Sequence, residues 1–382
     1  MDIEEDLKQE VISILKKLVQ FPSENPPGIT KEIVEYLISE VFKEEDGFRN
    51  QVVISKKNGV ELHNLISTIG NGKRVIGLTG HFDVIPAGDS SQWESPPFSA
   101  IIKDGKLYGR GSADMKGGIA FLIGVIKLLS KIPVFLENYR LVFLGTADEE
   151  KGMIGSITLS NQDVMKDLIL LVIAEPTNLQ IGVGEKGLLW VKLIITGKAA
   201  HGSMPHEGIN AIERALKILP QLHKILGDKT NDILGKSTLN IGCISGGTAI
   251  NIVPDRAILD LDYRLIPEQK HQQMKKKLKN LPQPDFSVKF EILKDLPALL
   301  SDDKHIFIQN LREISQSEII GLSYATDAAN LINTNDPIPF VIFGPGDPKN
   351  IHKIDEFIEI NQIFEAIIHL KNALLCTYLK KM

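Results

Sequence analysis

The chain contains 382 residues, of which 43% are hydrophobic and 24% are charged, as is typical of a globular protein with a large core. At roughly 150 residues per domain, this length predicts two domains. The formal net charge of −5 argues against nucleic acid as a partner, and a count of two cysteines excludes both a disulfide framework and a thiolate metal site.

The chain begins with the acidic segment Met1-Asp-Ile-Glu-Glu-Asp, which lacks the basic and apolar regions of a signal peptide. The longest apolar runs are far shorter than the roughly 18 residues that indicate a membrane span. We therefore expect a soluble cytoplasmic protein that does not associate with membranes.

The first part of the chain alternates helical and strand-like patterns. Apolar residues at helical spacing predict helices over residues 3–19 and after the turn Pro26-Pro27-Gly28. Strand-like runs and helical patterns then alternate up to about Thr177. Within them, the segment 116–130 is apolar almost all round, as is typical of a buried crossover helix. This alternation predicts an α/β domain with a mainly parallel, covered sheet.

The pattern changes after Asn178 and predicts a second module. The predicted elements are a strand at 188–196, a helix at 209–226, strands at 238–244 and 257–264, a basic helix near 268–280 and a strand near 287–293. The order βαββαβ, with antiparallel pairing, resembles an α+β ferredoxin-like module. Because the candidate ligand His352 lies beyond it, we expect residues 183–294 to be inserted into a first domain formed by 1–182 and 295–382.

Acidic and histidine residues lie where the apolar runs end. Short apolar runs are typical of buried strands in a parallel sheet, and ligands of open α/β sheets bind beyond the carboxyl ends of such strands. Because these ends share one edge, we expect the side chains to meet there and form a metal site. The residues are His81, Asp83, Asp114, Glu149, Glu150, Glu175 and His352.

The types of donor group indicate which metal the site would bind. Histidines and carboxylates without sulfur suit zinc, with cobalt or manganese as alternatives. The charge count favours two divalent ions: they bring four positive charges, whereas Asp114, Glu150 and Glu175 bring three negative ones. A hydroxide that bridges the ions would then make the centre neutral, which a partly buried cleft favours.

Two further acidic positions predict supporting roles. A ligating histidine usually has its other ring nitrogen held by a carboxylate, and Asp83 lies two residues from His81. Glu149 and Glu150 are adjacent, so one can bind metal while the other takes a proton from the attacking water.

Several motifs resemble those of the co-catalytic dinuclear zinc amidohydrolases and exopeptidases. This family includes succinyl-diaminopimelate desuccinylase, acetylornithine deacetylase, aminoacylase and glutamate carboxypeptidase. The resemblance covers nearly the whole chain, with every motif in the family's order. The motifs are Gly80-His-Phe-Asp-Val-Ile-Pro, Gly109-Arg-Gly-Ser-Ala-Asp-Met-Lys-Gly-Gly, Thr146-Ala-Asp-Glu-Glu, Ala174-Glu-Pro-Thr and the late segment that ends at His352.

The resemblance implies a role for each candidate ligand. His81 and Glu175 would hold one zinc ion, Glu150 and His352 would hold the other, and Asp114 would bridge both. Glu149 would be the general base and later the proton donor to the leaving amine, while Asp83 would orient His81. The family also has a cis peptide bond after the bridging aspartate, here between Asp114 and Met115.

The resemblance also extends to the inserted module, which would be a lid and dimerisation domain on the zinc-hydrolase catalytic domain. The segment Thr196-Gly-Lys-Ala-Ala-His-Gly-Ser makes His201 the candidate that stabilises the oxyanion. The segments around Asn251 and Arg264 resemble those that contact the substrate carboxylate. Because this module forms the dimer interface in the resembled enzymes, we expect a homodimer through residues 183–294.

The resemblance implies hydrolysis of an amide bond next to a free carboxylate, by a hydroxide that bridges the two metal ions. An N-acyl amino acid is the first choice of substrate, as for a desuccinylase or deacetylase, and a dipeptidase or carboxypeptidase is the alternative. Typical desuccinylases have Thr-Ser-Asp followed by Gly-Arg in a late catalytic segment. Here Ala325-Thr-Asp-Ala-Ala-Asn is closer to the carboxypeptidase-like members.

Two nucleotide-binding signals do not hold in their context. Gly182-Val-Gly-Glu-Lys-Gly187 has the spacing of a dinucleotide-binding motif, but a β-rich run follows where a helix must begin. Gly235-Lys-Ser lacks the earlier glycine of a phosphate-binding loop, because position 230 is threonine. A dehydrogenase or kinase is therefore not expected. Hydrolysis that needs no nucleotide and is abolished by chelation would distinguish a metal-dependent hydrolase from these nucleotide-dependent enzymes. The same assay would distinguish it from a family member that binds metal without turning over a substrate.

Overall fold

A computed structural model describes residues 3–281 and 288–379 of the chain. The outermost residues of the predicted first domain, 1–2 and 380–382, and the first residue of the strand predicted near 287–293 lie outside the described residues. The described chain divides into two units. Unit 1 runs to Val183 and also contains Ser301–Ile320 and the residues from Thr326 onwards, whereas unit 2 contains Gly184–Leu300 and Gly321–Ala325.

The elements are numbered in chain order. The strands are β1 (Arg49–Lys57), β2 (Val60–Ile69), β3 (Arg74–His81), β4 (Ile101–Lys103), β5 (Lys106–Tyr108), β6 (Tyr139–Thr146), β7 (Leu168–Ile173), β8 (Ile181–Glu185), β9 (Gly187–Thr196), β10 (Thr230–Asn231), β11 (Gly235–Lys236), β12 (Thr238–Gly246), β13 (Arg256–Leu265), β14 (Val288–Leu296), β15 (Leu299–Leu300), β16 (Ile319–Leu322), β17 (Phe340–Ile342) and β18 (Phe357–Glu359). The helices are α1 (Glu5–Gln20), α2 (Lys31–Tyr36), α3 (Gly117–Ser130), α4 (Pro133–Asn138), α5 (Ile154–Leu159), α6 (Ala211–Leu226), α7 (His271–Lys279), α8 (Ile306–Ser315), α9 (Ala328–Leu331) and α10 (Ile360–Tyr378).

The sheet of unit 1 has the order β1-β2-β6-β3-β7-β17-β8. The central pairs β6–β3, β3–β7 and β7–β17 are parallel, whereas the outer pairs β1–β2, β2–β6 and β17–β8 are antiparallel. The central strands are apolar and almost wholly buried, because helices such as α3 cover the sheet. This confirms the predicted α/β class with a mainly parallel central sheet.

Unit 2 contains an antiparallel sheet in the order β12-β13-β9-β14, with α6 and α7 packed against it. The chain order βαββαβ confirms the predicted ferredoxin-like topology. Burial alternates along β13, as expected for a strand with one face on the core. Helix α6 begins where the Asn210 side chain accepts hydrogen bonds from the amides of Ile212 and Glu213. Among the described residues, we find no helix long and apolar enough to cross a membrane.

Candidate metal centre

The parallel strands of unit 1 deliver five of the predicted residues to one edge of the sheet. His81 is the last residue of β3, and Glu149 and Glu150 follow β6 after a short turn. Glu175 follows β7 by two residues, and His352 comes after β17 in a loop. Because β6, β3, β7 and β17 are neighbours and parallel, their carboxyl ends lie side by side.

Asp114 reaches the same place from an irregular turn ahead of α3. The backbone of Asp114 is extended (φ −117°, ψ 95°), and that of Met115 is also not helical, so the turn Ser112–Lys116 is irregular. The peptide bond between Asp114 and Met115 is cis, as the resemblance implied.

The two carboxylate oxygens of Asp114 face different histidines. Oδ1 lies 3.1 Å from Nε2 of His81, and Oδ2 lies 3.2 Å from Nε2 of His352. Glu150 Oε1 is 3.2 Å from the same His352 nitrogen, and Glu175 Oε1 is 3.9 Å from His81 Nε2. The side chains therefore form two groups that share Asp114.

These distances suit a pair of divalent cations. Tetrahedral ligands that each lie about 2.0–2.1 Å from a zinc ion are separated from one another by about 3.3 Å. The contacts of Asp114 with His81 and His352 are 3.1 and 3.2 Å, close to that separation. His81, Asp114 and Glu150 also offer ligand atoms that all lie within 4.8 Å of one another. The donor set and its spacing thus fit the implied metal centre.

The ring of His81 is held by main chain and not, as predicted, by the Asp83 carboxylate. Its Nδ1 lies 2.8 Å from the carbonyl oxygen of Asp83 and 3.9 Å from the nearest carboxylate oxygen of that residue. A carbonyl oxygen only accepts hydrogen bonds, so Nδ1 must donate. In the neutral ring, the lone pair of Nε2 is then free to bind a metal ion.

The carboxylate of Asp83 instead holds the adjacent glutamates. Oδ1 accepts from the amide of Glu149 at 3.1 Å, and Oδ2 accepts from the amide of Glu150 at 3.2 Å. The Asn25 side-chain amide donates to Asp83 at 2.8 Å and to Asp148 at 2.9 Å. Asp83 is thus a buried acceptor that fixes the main chain of the Glu149-Glu150 pair.

The clustering of acids shifts their protonation. Burial raises the pKa of Glu149 well above its ordinary range; the nearby His81 lowers it in part, and Glu175 raises it again. Burial also raises the pKa of Glu175 well above its usual value, and the charge of Asp114 adds to this effect. Carboxyl groups crowded in this way favour a bound cation that compensates their charge.

The two histidines have acidic neighbours, which raise their pKa. Although burial lowers the pKa of His81, its hydrogen bond with Asp114 and the charge of Glu175 raise it, and the pKa ends well above the ordinary value. Contacts with Asp114 and Glu150 raise the pKa of His352 to about 10. Asp114 has a lowered pKa, because contacts with His352 and His81 outweigh its burial.

The other predicted residues belong to unit 2. His201 is exposed and forms an isolated bridge with Ile252, next to Asn251. Arg264 lies near the end of β13, where its guanidinium pairs with Asp262 through Nε at 2.8 Å and Nη2 at 3.1 Å. Within unit 2, His201 and Asn251 are therefore close to each other, and Arg264 is not with them.

The sequence analysis missed three residues that support the site. Asn25 links Asp83 to Asp148, and Glu356 accepts hydrogen bonds from the amides of Ala113 and Asp114, with Arg110 beside it. Arg110 lies inside the quoted motif that begins at Gly109, and Glu356 follows the one that ends at His352; these positions are the only signal that the sequence offered. Asn25 lies in a Pro-rich turn far from the ligands in sequence.

Comparison with known proteins identifies the family. Residues 77–375, well over half of the chain, match the model of peptidase family M20/M25/M40. The chain belongs to this family, and it is a hydrolase of the metallopeptidase and amidohydrolase type. This confirms the resemblance on which the site prediction rested.

Individual relatives and structures agree with this membership. A Staphylococcus aureus protein named probable succinyl-diaminopimelate desuccinylase is 32% identical and covers 98% of both chains. Acetylornithine deacetylase of Pasteurella multocida is 32% identical and covers 82% of both chains. Aminopeptidase PepT from Bacillus cereus has the same fold, with a TM-score of 0.74 and 21% identity over 97% of this chain and 99% of that one. A Bacillus subtilis protein described as a dinuclear metal-binding peptidase from the M20 family has a TM-score of 0.65 and 16% identity over 97% of this chain and 99% of that one.

Proposed function

We propose that the protein hydrolyses the amide bond of an N-acyl amino acid, as a desuccinylase or deacetylase does, with two divalent metal ions bound at the described centre. The observation that carries this proposal is the position of Asp114, whose two oxygens each face a different histidine. The names of the two sequence relatives, both N-acyl amino acid hydrolases, support the substrate class.

The proposed ligands follow the two groups of contacts. His81 and Glu175 would hold one ion, His352 and Glu150 the other, and Asp114 both. The donor set favours zinc, with cobalt or manganese as alternatives that metal analysis would separate. When bound, such ions would polarise the scissile carbonyl group and activate the attacking water.

Glu149 would transfer the proton. It is adjacent to Glu150, and its main chain is fixed by the Asp83 carboxylate at 3.1 Å. A carboxylate in this position can take a proton from water and then give it to the leaving amine. We propose Glu149 as general base and later general acid.

His201 would stabilise the negative oxygen of the tetrahedral intermediate. The amide of Ser203 donates to its Nδ1 at 3.2 Å. Because Nδ1 is then an acceptor, the proton of the neutral ring is on Nε2. The Nε2–H group of this exposed residue is a donor of the kind that an oxyanion needs.

The positions of Arg264 and Asn251 within unit 2 support a site built from two copies of the chain. Arg264 lies near the carboxyl end of β13, opposite Leu188 at the start of β9. Asn251 precedes the amino end of β13. Arg256 and Arg264 are eight residue steps apart along β13, which is about 26 Å at 3.3 Å per step. This distance is too long for Arg264 and Asn251 of one chain to bind the same substrate carboxylate. If both residues bind it, one chain would supply Arg264 and its partner would supply Asn251 and His201.

The surface of unit 2 suits such a homodimer. β12 is an edge strand of the sheet and is largely exposed. Apolar side chains are exposed on it, on the loop after it and on α6, namely Ile244, Ile250 and Leu216. Exposed edges and clustered apolar side chains commonly mark association surfaces. We propose that β12 and α6 of two copies pair.

A dipeptidase or carboxypeptidase is the second candidate. The segment Ala325-Thr-Asp-Ala-Ala-Asn lacks the Gly-Arg of typical desuccinylases. An arginine there would provide a contact for a second substrate carboxylate, such as that of a succinyl group. Its absence favours a substrate with one carboxylate, either an acetylated amino acid or a dipeptide.

A hydrolysis screen tests the proposal. Zinc- and cobalt-loaded protein would be incubated with N-succinyl-diaminopimelate, N-acetylornithine, N-acetylmethionine and simple dipeptides, and the released amine would be measured. Protein treated with chelator and the E149Q variant prepared in parallel are the controls for contaminating hydrolases. Preferred cleavage of an acylated amino acid supports the first candidate, preferred cleavage of dipeptides supports the second, and no metal-dependent cleavage contradicts both.

A further inference from the structure

Glu356 is a buried carboxylate whose hydrogen bonds are directed at the turn that carries Asp114. Its Oε1 accepts from the amides of Ala113 at 3.0 Å and Asp114 at 3.1 Å. Its Oε2 accepts from Nη1 of Arg110 at 2.6 Å. The side chains of Glu356 and Arg110 are 1% and 3% exposed, so water does not compete for these bonds.

The turn needs such an external acceptor. The backbone at Asp114 and Met115 is not helical, and α3 begins only at Gly117. Helical hydrogen bonds therefore cannot satisfy both the amide of Ala113 and that of Asp114. A buried amide without an acceptor destabilises the fold. The carboxylate of Glu356 serves both amides with one oxygen.

The same arrangement occurs on the other side of the centre. Asp83 accepts from the amides of Glu149 and Glu150, as Glu356 does from those of Ala113 and Asp114. The consequences differ, because Glu150 contacts His352 alone whereas Asp114 contacts both histidines. A shift of the turn at Asp114 would displace both of its oxygens together.

We infer that Glu356 is a positioning residue for Asp114. Glu356 acts through the amides of Ala113 and Asp114 and so sets the affinity of the centre for both metal ions. This inference rests on the proposed function in one respect, the binding of two ions by Asp114. Arg110 compensates the charge of the buried Glu356 carboxylate through their 2.6 Å contact, and the guanidinium carbon of Arg110 lies 5.1 Å from the centre of the Trp93 ring.

Two double variants test the inference, with Co²⁺ alone as the probe. R110M/E356Q and R110M/E356L both remove the buried ion pair, but only the glutamine retains an oxygen that can accept from the two amides. Affinity and stoichiometry would be measured by titration, and the Co²⁺ absorption spectrum would report the coordination geometry. Circular dichroism of the metal-free variants would verify that they fold.

We expect R110M/E356L to bind both ions about 10–100-fold more weakly than the wild type, as is typical when a group that holds a ligand in place is removed. R110M/E356Q should recover most of the affinity and the wild-type spectrum. Equal affinities of the two folded double variants would overturn the inference, because a charge or folding effect alone would not depend on the retained oxygen.

D167N is the matched control. It removes the negative charge from an ion pair of the same length, Arg140 Nη2 with Asp167 Oδ2 at 2.6 Å, that lies outside the centre, and its Co²⁺ affinity should equal that of the wild type. D114A separates this inference from the proposed function. If the wild type does not bind two ions, or D114A retains both, the proposed function fails; if D114A loses both and the double variants are equal, only the role of Glu356 fails.

Discussion

The ring of His81 donates a hydrogen bond to the main-chain carbonyl of Asp83: Nδ1 lies 2.8 Å from that oxygen, whereas the nearest Asp83 carboxylate oxygen is 3.9 Å away. The carbonyl fixes which ring nitrogen carries the proton. The carboxylate is left to accept from the amides of Glu149 and Glu150. One residue thus supports both halves of the centre by two separate groups.

The first prediction concerns D83N. Because the carbonyl of Asp83 remains, His81 should keep its orientation, and the ion proposed at His81 and Glu175 should stay bound. The amides of Glu149 and Glu150 would lose an acceptor, so the ion at Glu150 should bind more weakly and turnover should fall, each by about 10–100-fold. Calorimetric metal titration would resolve the two sites.

The control for D83N is D89N, which alters an exposed carboxylate that accepts from the amide of Ser91 at 2.9 Å. It should retain wild-type metal binding and turnover. A D83N variant that loses mainly the ion at His81 and Glu175 would show that the carboxylate of Asp83 acts on His81 after all.

The second prediction concerns metal stoichiometry. Asp114 contacts both histidines and Glu150 contacts one. Elemental analysis of zinc-reconstituted protein should therefore find close to two ions per chain in the wild type, few in D114A, and about one in E150A. Full occupancy in D114A would contradict the bridging role of Asp114.

The third prediction separates the adjacent glutamates. E149Q should keep its metal and lose turnover by about 10²–10⁴-fold, because an amide can neither take nor return the proton. E150Q should lose metal affinity first. The two variants are matched, since each converts one acid of the same pair to its amide. Loss of metal in E149Q together with full loading of E150Q would reverse the two roles.

The fourth prediction concerns pH and the metal-free protein. Contacts with Asp114 and Glu150 raise the pKa of His352 from 6.5 to about 10. A group whose folded pKa lies above its unfolded value stabilises the fold below the unfolded pKa, and this stabilisation is lost as the pH rises through the folded pKa. The Tm of chelator-treated protein should therefore fall as the pH is raised from 6.5 towards 10.

Two comparisons check the pH effect. H352Q should show a smaller fall of Tm over the same range, because it lacks the titrating group. Metal-loaded wild type should show little of this fall, since the imidazole must be neutral to bind the ion. A metal-free wild type whose Tm is constant or rises between these pH values would contradict the assignment.

The sequence predicts that the acidic and histidine side chains come together, because most of them lie at the ends of parallel strands. His81 ends β3 and Glu175 follows β7, and the carboxyl ends of neighbouring parallel strands must share an edge. The contact of Asn25 with Asp83 could not be predicted in this way, since it joins a turn to a strand end 58 residues away.

The choice between two groups of one residue was also beyond the sequence. The carbonyl and the carboxylate of Asp83 are both two residues from His81, and only the backbone path decides which one faces the ring. The pairing of Glu356 with Arg110 likewise depends on loop geometry over 246 residues of separation.

The last prediction concerns the delivery of His201. His201→Ala should lower turnover with little change in metal content or substrate affinity, because an oxyanion contact strengthens only in the transition state.

H201A and E149Q would each be nearly inactive alone. If the histidine is supplied by the partner subunit, a mixed dimer has one complete site, formed by the intact Glu149 of the H201A chain and the intact His201 of the E149Q chain. After equal mixing and subunit exchange, about a quarter of the wild-type activity should return, because about half of the dimers are mixed and each has one working site. Mixing H201A with the double variant H201A/E149Q is the control and should restore nothing. No recovery in verified mixed dimers would assign His201 to the site of its own chain, and a fully active monomer in sedimentation would exclude both the dimer and the shared site.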